Sequence, residues 1–343
     1  MSDSIFEEGG EFGTKRVGPD QFELHIPIPT DEDGLVGREC PDSDCAPGYF
    51  KIKPGTGITE GQTTAYCPYC RFEAEPRDFA TQAQKDYALG ILKNEAVKGI
   101  NRTVQKSFGF GSSHKKIFGS GMIRLEMSYK PLQLHSVSKP IEEELRRDIT
   151  CPTCGLAHAV FGLATWCPDC GTDIFLKYVD AEFDVILKAL SAVDARKEEL
   201  GPRIAGRDIE NALEDTVSVF EAVMKIITRK YLLKAGVAQE EVEKRIEKIR
   251  NSYQNIGAAG DTYRVHTGQD LFIGISIGEI DVLKRTFEKR HPITHNAGVA
   301  DRKYISRIRS GESEGREVHV TAQEVEQAVA SSQKIITNIY RRI

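Results

Sequence analysis

The apolar positions of this chain change their period part-way along. Phe22, Leu24, Ile26 and Ile28 alternate with polar residues or Pro, a period of two that predicts a short strand. Residues 49–53 and the turn 54–57 predict a hairpin, and Ile123, Leu125, Met127 and Tyr129 predict a further strand. Between them, residues 78–104 set Tyr87, Ile91, Ala96 and Ile100 roughly along one side of a helix. After Tyr178 the period becomes helical throughout. Ile186, Ala189, Leu190 and Val193 follow the spacing of one helix face, and Gly201-Pro202 ends that helix. A longer helix over 207–234 carries Leu213, Val217, Phe220, Ile227 and Tyr231 on one face, with Gly236 as its stop. Val242, Ile246 and Ile249 predict a third, and residues 275–291 a fourth. The last opens on the capping box Thr321-Ala322-Gln323-Glu324, and its stripe includes Val325, Ala328, Val329, Ile335, Ile336 and Ile339.

This pattern predicts an α+β chain with an N-terminal module of short strands and an all-α C-terminal bundle. Residues 1–20, rich in Gly and Glu, read as a flexible acidic tail, and 21–139 as an N-terminal module with a cysteine ribbon at about 37–72 and a helix. A second cysteine ribbon occupies 140–178, and 179–343 form the helical domain.

The cysteines add the firmest chemistry. All eight fall into close pairs, Cys40/Cys45, Cys67/Cys70, Cys151/Cys154 and Cys167/Cys170. Successive pairs at these separations are the spacing of two four-thiolate zinc ribbons, each pair forming a turn that points two sulfurs at one tetrahedral metal. The turns Cys67-Pro68-Tyr69-Cys70, Cys151-Pro152-Thr153-Cys154-Gly155 and Cys167-Pro168-Asp169-Cys170-Gly171 are written in suitable residues. Four thiolates fill the coordination sphere, so two structural Zn2+ and no catalytic metal are expected. His158 lies among the second set, but four cysteines already complete that site. A disulfide framework is disfavoured, because residues 1–10 do not resemble a secretory signal and the chain is far longer than a disulfide-stapled miniprotein.

Composition narrows the setting. A net charge of −5 over 343 residues excludes a uniformly basic nucleic-acid coat. Charge is uneven, however: residues 284–309 carry eight Lys and Arg side chains. No apolar run approaches the ~20 residues needed to cross a bilayer, and a soluble cytoplasmic protein is expected. Lys85, Lys93, Lys98, Arg102 and Lys106 on the N-terminal helix read as a solvated face. The glycine-rich stretch 109–116 lacks the Gly-Lys-Ser/Thr ending of a phosphate loop and reads as a linker.

Within the basic region, Arg290 and His295 stand five positions apart near a helix end. Arg offers a fixed cationic fork for a phosphate, and His moves protons near neutral pH. Together they suffice for phosphodiester transfer in RNA, where the substrate supplies its own 2′-hydroxyl nucleophile. Arg285 and His291 make a near match in the same window. Pro292 lies between Arg290 and His295, so the helix is expected to kink or end there, swinging His295 toward Arg290.

The run from Lys289-Arg290-His291-Pro292-Ile293-Thr294-His295-Asn296 to Gly298, Asp301 and Tyr304 resembles the signature of the HEPN superfamily, helical bundles whose RNases carry Arg, four to six residues, then His. A polar residue after the Arg, here His291, fits that form and favours this register. Segments 51–57 and 154–162 are similar to cysteine-rich ribbons that precede such a domain in some bacterial proteins. The resemblance implies an endoribonuclease with Arg290 on the scissile phosphate and His295 as general acid or base. His291 and Asn296 become secondary candidates. It further implies a homodimer with two motifs facing one cleft, tRNA or other cellular RNA as substrate, and a toxin–antitoxin or antiphage-defence setting with an antitoxin or defence-complex partner. The alternative is a non-catalytic zinc-ribbon adaptor for nucleic acid or protein, with the helical domain serving dimerisation.

Overall fold

The structure, a computed structural model, describes residues 5–19, 21–110, 115–118, 125–137, 146–308 and 313–343. It contains N-terminal strands followed by a helical region. The chain divides into two compact units, Met1–Ile174 and Phe175–Ile343.

In the first unit, β1 (Lys15–Arg16) pairs with β2 (Phe22–Glu23). The strand expected over Phe22–Ile28 is regular only at Phe22–Glu23; His25 N–H still donates to the Phe12 carbonyl at 2.8 Å, and beyond it Pro27 and Pro29 have no N–H to give a ladder. Four strands then form one antiparallel sheet in the order β3-β4-β10-β9: β3 (Val36–Glu39), β4 (Tyr49–Ile52), β9 (Arg147–Thr150) and β10 (Ala157–Val160). The two cysteine ribbons therefore share a sheet, joined where Ala159 pairs with Lys51 across β10 and β4. Phe50 on β4 is buried and meets Phe79 edge-on, with ring centres 5.9 Å apart. Lys51 is also buried, and its ammonium pairs with Asp31 at 3.1 Å. Burial works against the Asp31 carboxylate, but backbone N–H bonds from Leu35 and Asp33 and the Lys51 charge outweigh it and lower its pKa. Two short pairs, β5 (Ala65–Tyr66) with β6 (Glu73–Ala74) and β7 (Lys115–Phe118) with β8 (Leu125–Ser128), complete the strands of the described residues. Ile123, and residues 111–114 of the glycine-rich stretch, lie outside the described residues. Helix α1 (Gln82–Phe108) starts four residues later than expected, where Thr81 and Gln84 form a capping box; Pro76–Phe79 before it make a 3-10 turn.

The second unit is helical: α2 (Phe175–Ser191), α3 (Val193–Leu200), α4 (Pro202–Lys234), α5 (Gln239–Ile249), α6 (Ile256–Thr267), α7 (Ile277–His295), α8 (Arg302–Ile308) and α9 (Ala322–Tyr340). The expected first helix is broken at Ala192, where the Ser191 hydroxyl bonds the Lys188 carbonyl instead of leaving it to the helix. Helix α4 is the axis of the unit and packs on α2, α3, α5, α6, α7 and α9. Its buried face, Leu213, Val217, Phe220 and Ile227, is the one the sequence periodicity marks. Phe220 meets Phe287 of α7 edge-on at 5.6 Å, and Val325, Val329 and Ile336 of α9 are fully buried. Thr321 caps α9 as its capping box predicts. Helices α6 and α8 were not expected. The first holds two glycines in its first five residues, and the second is only seven residues long, so neither shows a sustained stripe. No helix among the described residues is long and apolar enough to cross a membrane.

Candidate functional site

Each cysteine ribbon brings its four sulfurs together. Cys40, Cys45, Cys67 and Cys70 form one group and Cys151, Cys154, Cys167 and Cys170 the other, with all sulfurs of a group within 4.8 Å of one another. Within them sulfurs stand 3.7 Å (Cys40–Cys70), 3.6 Å (Cys45–Cys67), 3.7 Å (Cys151–Cys170) and 3.6 Å (Cys154–Cys167) apart. A tetrahedral zinc with bonds of about 2.3 Å needs sulfurs about 3.8 Å apart, whereas a disulfide needs about 2.05 Å. All eight are free thiols. The two groups could therefore hold one zinc ion each. Burial pushes the Cys40 thiol up to about 12 and Cys154 to about 11. A bound cation would offset that cost of forming thiolates in a dry site.

The turns follow their sequences closely. Gly155 and Gly171 take the left-handed conformation after their last cysteine, at φ 78° and 63°. In the first ribbon Arg71 occupies the same position at φ 66°, and its guanidinium lies 4.6 Å from the ring centre of Trp166. The two sites are laced together by backbone. Tyr66 N–H donates to the Pro168 carbonyl at 2.7 Å, and Thr165 and Trp166 N–H donate to the Pro68 carbonyl at 2.8 and 3.1 Å. Asp169, inside the second site's last turn, is buried and accepts from Ile58 N–H at 2.9 Å and Gln62 Nε2 at 3.1 Å. His158 stands apart from the sulfurs on β10, buried, with Nδ1 3.4 Å from the Leu156 carbonyl. Its Nε2 is buried without a hydrogen-bond partner among the described residues.

The Arg-His motif lies in the second unit. Helix α7 opens on a capping box between Ser276 and Glu279 and runs through Pro292 to His295. It neither ends at Pro292 nor stops at His291; the turn closes only where Asn296 and Gly298 N–H both donate to the Pro292 carbonyl at 2.9 Å. A proline in the last turn costs a single ladder bond there. The uninterrupted helix sets the His291 and His295 rings, one turn apart, 5.2 Å from centre to centre.

Arg290, His291 and His295 line one polar cleft of about 230 Å³. Its other walls include Gln254 and Asn255, Glu288, and Arg307 of α8. Gln254 accepts from Arg290 Nη1 at 2.8 Å, and its own amide donates to Glu221 at 2.5 Å. This fixes the guanidinium end-on and leaves Arg290 Nε buried without an acceptor among the described residues. Glu288 is 5 % exposed and accepts from Asn255 Nδ2 and, at 3.2 Å, from Arg307 Nη1. Burial lowers the pKa of His291 first, and the charges of Lys303, His295 and Arg307 lower it further, against the opposing pull of Asp301. Of the four candidates in the motif, Asn296 is the one left out of the cleft wall. It caps α7, and its amide donates to the Val299 carbonyl at 2.7 Å. Arg285 is exposed and does not line the cleft.

Gln254, Asn255 and Glu288 had no signal in the sequence, because the turn Ser252–Gln254 and helix α6 that bring two of them to α7 carry no strong periodicity. Arg307 was visible only as one cation of the basic region. Compared with protein families, curated proteins and solved structures, the chain matches none of them.

Proposed function

We propose that the chain is a HEPN-type endoribonuclease whose two four-cysteine ribbons each hold a structural zinc ion. The observation that carries this reading is the placement of Arg290 beside His291 and His295. Arg290 Nη1 is committed to Gln254 while the buried Nε lacks an acceptor among the described residues, in a cleft it shares with two imidazoles. A guanidinium edge of this kind matches two oxygens of a phosphate. His295 is the general acid or base, and His291 is poised beside it to carry the second proton. The 2′-hydroxyl oxygen attacks phosphorus as its proton passes to one imidazole. The bond to the 5′-oxygen breaks as that oxygen takes a proton from the other. The products are a 2′,3′-cyclic phosphate and a 5′-hydroxyl, with Arg290 neutralising charge on the phosphoryl oxygens. Zinc in the ribbons, closed by four thiolates, supplies folding free energy rather than a reactive water. Cellular RNA such as tRNA is the substrate class, a homodimer the working form, and toxin–antitoxin or antiphage defence in the cytoplasm the setting; these last points rest on family resemblance.

The test is to incubate zinc-loaded protein with tRNA and long RNA in magnesium-free buffer beside Arg290→Ala, His295→Ala and Arg285→Ala. Cleavage to cyclic-phosphate ends by wild type and Arg285→Ala alone is expected. Equal background from every protein would sink the nuclease and leave the zinc-ribbon adaptor as the reading.

A further inference from the structure

Helix α8 carries cations that the Arg290–His295 chemistry does not use. Its buried side, Tyr304 with Ile305 and Ile308, packs on Ala300 and Val318, which fixes the helix despite its length. Lys303 and Arg307 are exposed and one turn apart, so they stand on one face. Like charges at this spacing repel and destabilise a short helix, unless an anion sits between or beside them. Arg307 lines the cleft, and Lys303 stands one turn before it on the same face of α8. The cleft thus sets Arg290 and Arg307 beside His291 with the carboxylate of Glu288, and Asp301 lies at the start of α8. Neither carboxylate cancels α8. Asp301 spends an oxygen on Tyr304 N–H at 2.7 Å, and Glu288 takes one donor of Arg307, whose guanidinium has five. Lys303 has no ion-pair partner among the described residues.

We infer that α8 is a second phosphate-binding arm of this site, with Lys303 and Arg307 holding a phosphate next to the one on Arg290. The ligand is then a stretch of single-stranded polynucleotide, not a lone nucleotide, and α8 sets its register over the histidines. Arg307 reaches the strand with donors that Glu288 leaves free, and Glu288 keeps the side chain extended toward the cleft. This inference rests on the reading of the cleft as an RNA site.

The experiment measures binding of a short, uncleavable 2′-O-methyl oligoribonucleotide over a range of salt, together with binding of a nucleoside monophosphate. Each phosphate contact on a single strand contributes about 0.7 to the slope of log K against log salt. Lys303→Gln and Arg307→Gln are each expected to reduce the slope by about 0.7. Arg307→Lys should retain it; Lys303→Gln should weaken oligonucleotide binding more than monophosphate binding, whereas Arg290→Gln should weaken both. Lys303→Gln removes an exposed side chain and leaves the fold intact, so its result stands even where Arg307→Gln disturbs Glu288. Slopes equal to wild type in both Gln variants overturn the inference and leave the nuclease standing. Binding with the expected slopes, but no cleavage of unmodified RNA, sinks the nuclease and supports the arm. Wild-type protein that fails to bind the oligonucleotide overturns both.

Discussion

The side-chain oxygen of Gln254 accepts from Arg290 Nη1 at 2.8 Å, so a residue of a short 3-10 turn sets the angle of the cation in the cleft of α7. Gln254→Leu is expected to leave the fold intact and to lower the cleavage rate about ten- to a hundredfold, the scale of a misplaced catalytic group. The rate under saturating RNA should fall more than the affinity, because the guanidinium is still present but no longer aimed. Single-turnover cleavage beside an RNA-binding titration separates the two. An unchanged rate would mean that Gln254 does not position Arg290.

Zinc removal should act on the first unit. The sheet is small, and both four-cysteine groups stand at its ends without an alternative brace such as a disulfide. Native mass spectrometry is expected to show two metal ions per chain. Chelation should abolish the sheet signal while the helical signal of the second unit persists in circular dichroism. The reciprocal bonds between Tyr66 and Pro168 and between Trp166 and Pro68 join the two metal turns. Cys151→Ser is therefore expected to weaken cobalt binding at Cys40, Cys45, Cys67 and Cys70, read from the thiolate-to-cobalt absorption. Independent binding at the first site would show that these bonds carry no coupling.

Asp169 joins the second metal turn to the Ile58–Gln62 loop through two hydrogen bonds to a buried carboxylate. Asp169→Ala strands a backbone N–H and is expected to cost about 2–3 kcal/mol. Denaturant unfolding of the zinc-loaded protein measures it, and a loss below about 0.5 kcal/mol would place the bonds among surface contacts.

His158 predicts a pH dependence. Burial depresses its folded pKa from 6.5 to about 4, ahead of the opposing effects of the Leu156 carbonyl and Asp148. Between these values the unfolded chain binds a proton that the folded chain refuses. Stability is therefore full above pH 6.5 and falls as pH drops toward 4, at up to about 1.4 kcal/mol per pH unit. His158→Leu also removes the unpartnered Nε2 and should flatten this component relative to wild type without loss at pH 7. Parallel slopes in the two proteins from pH 7 to 5 would refute it.

Much of this was written in the sequence, and its legibility varies with the length of the signal. The cysteine pairs marked both sulfur groups outright, because ligand spacing within a turn is a local property. The faces of α4 and α9 were equally readable, since long stripes such as Leu213–Val217–Phe220 repeat the helical period several times. Short elements were not. Helix α8 and the Ser252–Gln254 turn depend on what they pack against, and with them went Gln254, Asn255 and the role of Arg307. The position of the motif near the end of α7 was legible, whereas the path of that helix through Pro292 was not, because the cost of a proline depends on how near the helix end it falls. That the two ribbons share a sheet is a long-range pairing with no local signature.

The β4–β10 pairing has a kinetic consequence. Lys51 and Ala159 lie side by side in the sheet but 108 residues apart in the chain, and everything between them must be gathered before their ladder can close. Closing so long a loop carries a large entropic cost that only later contacts repay. Each metal turn, by contrast, can form from nearby residues. The first unit should thus assemble from its cysteine knuckles inward, with the centre of the sheet among the last parts to set and the most exposed to misassembly when zinc is scarce.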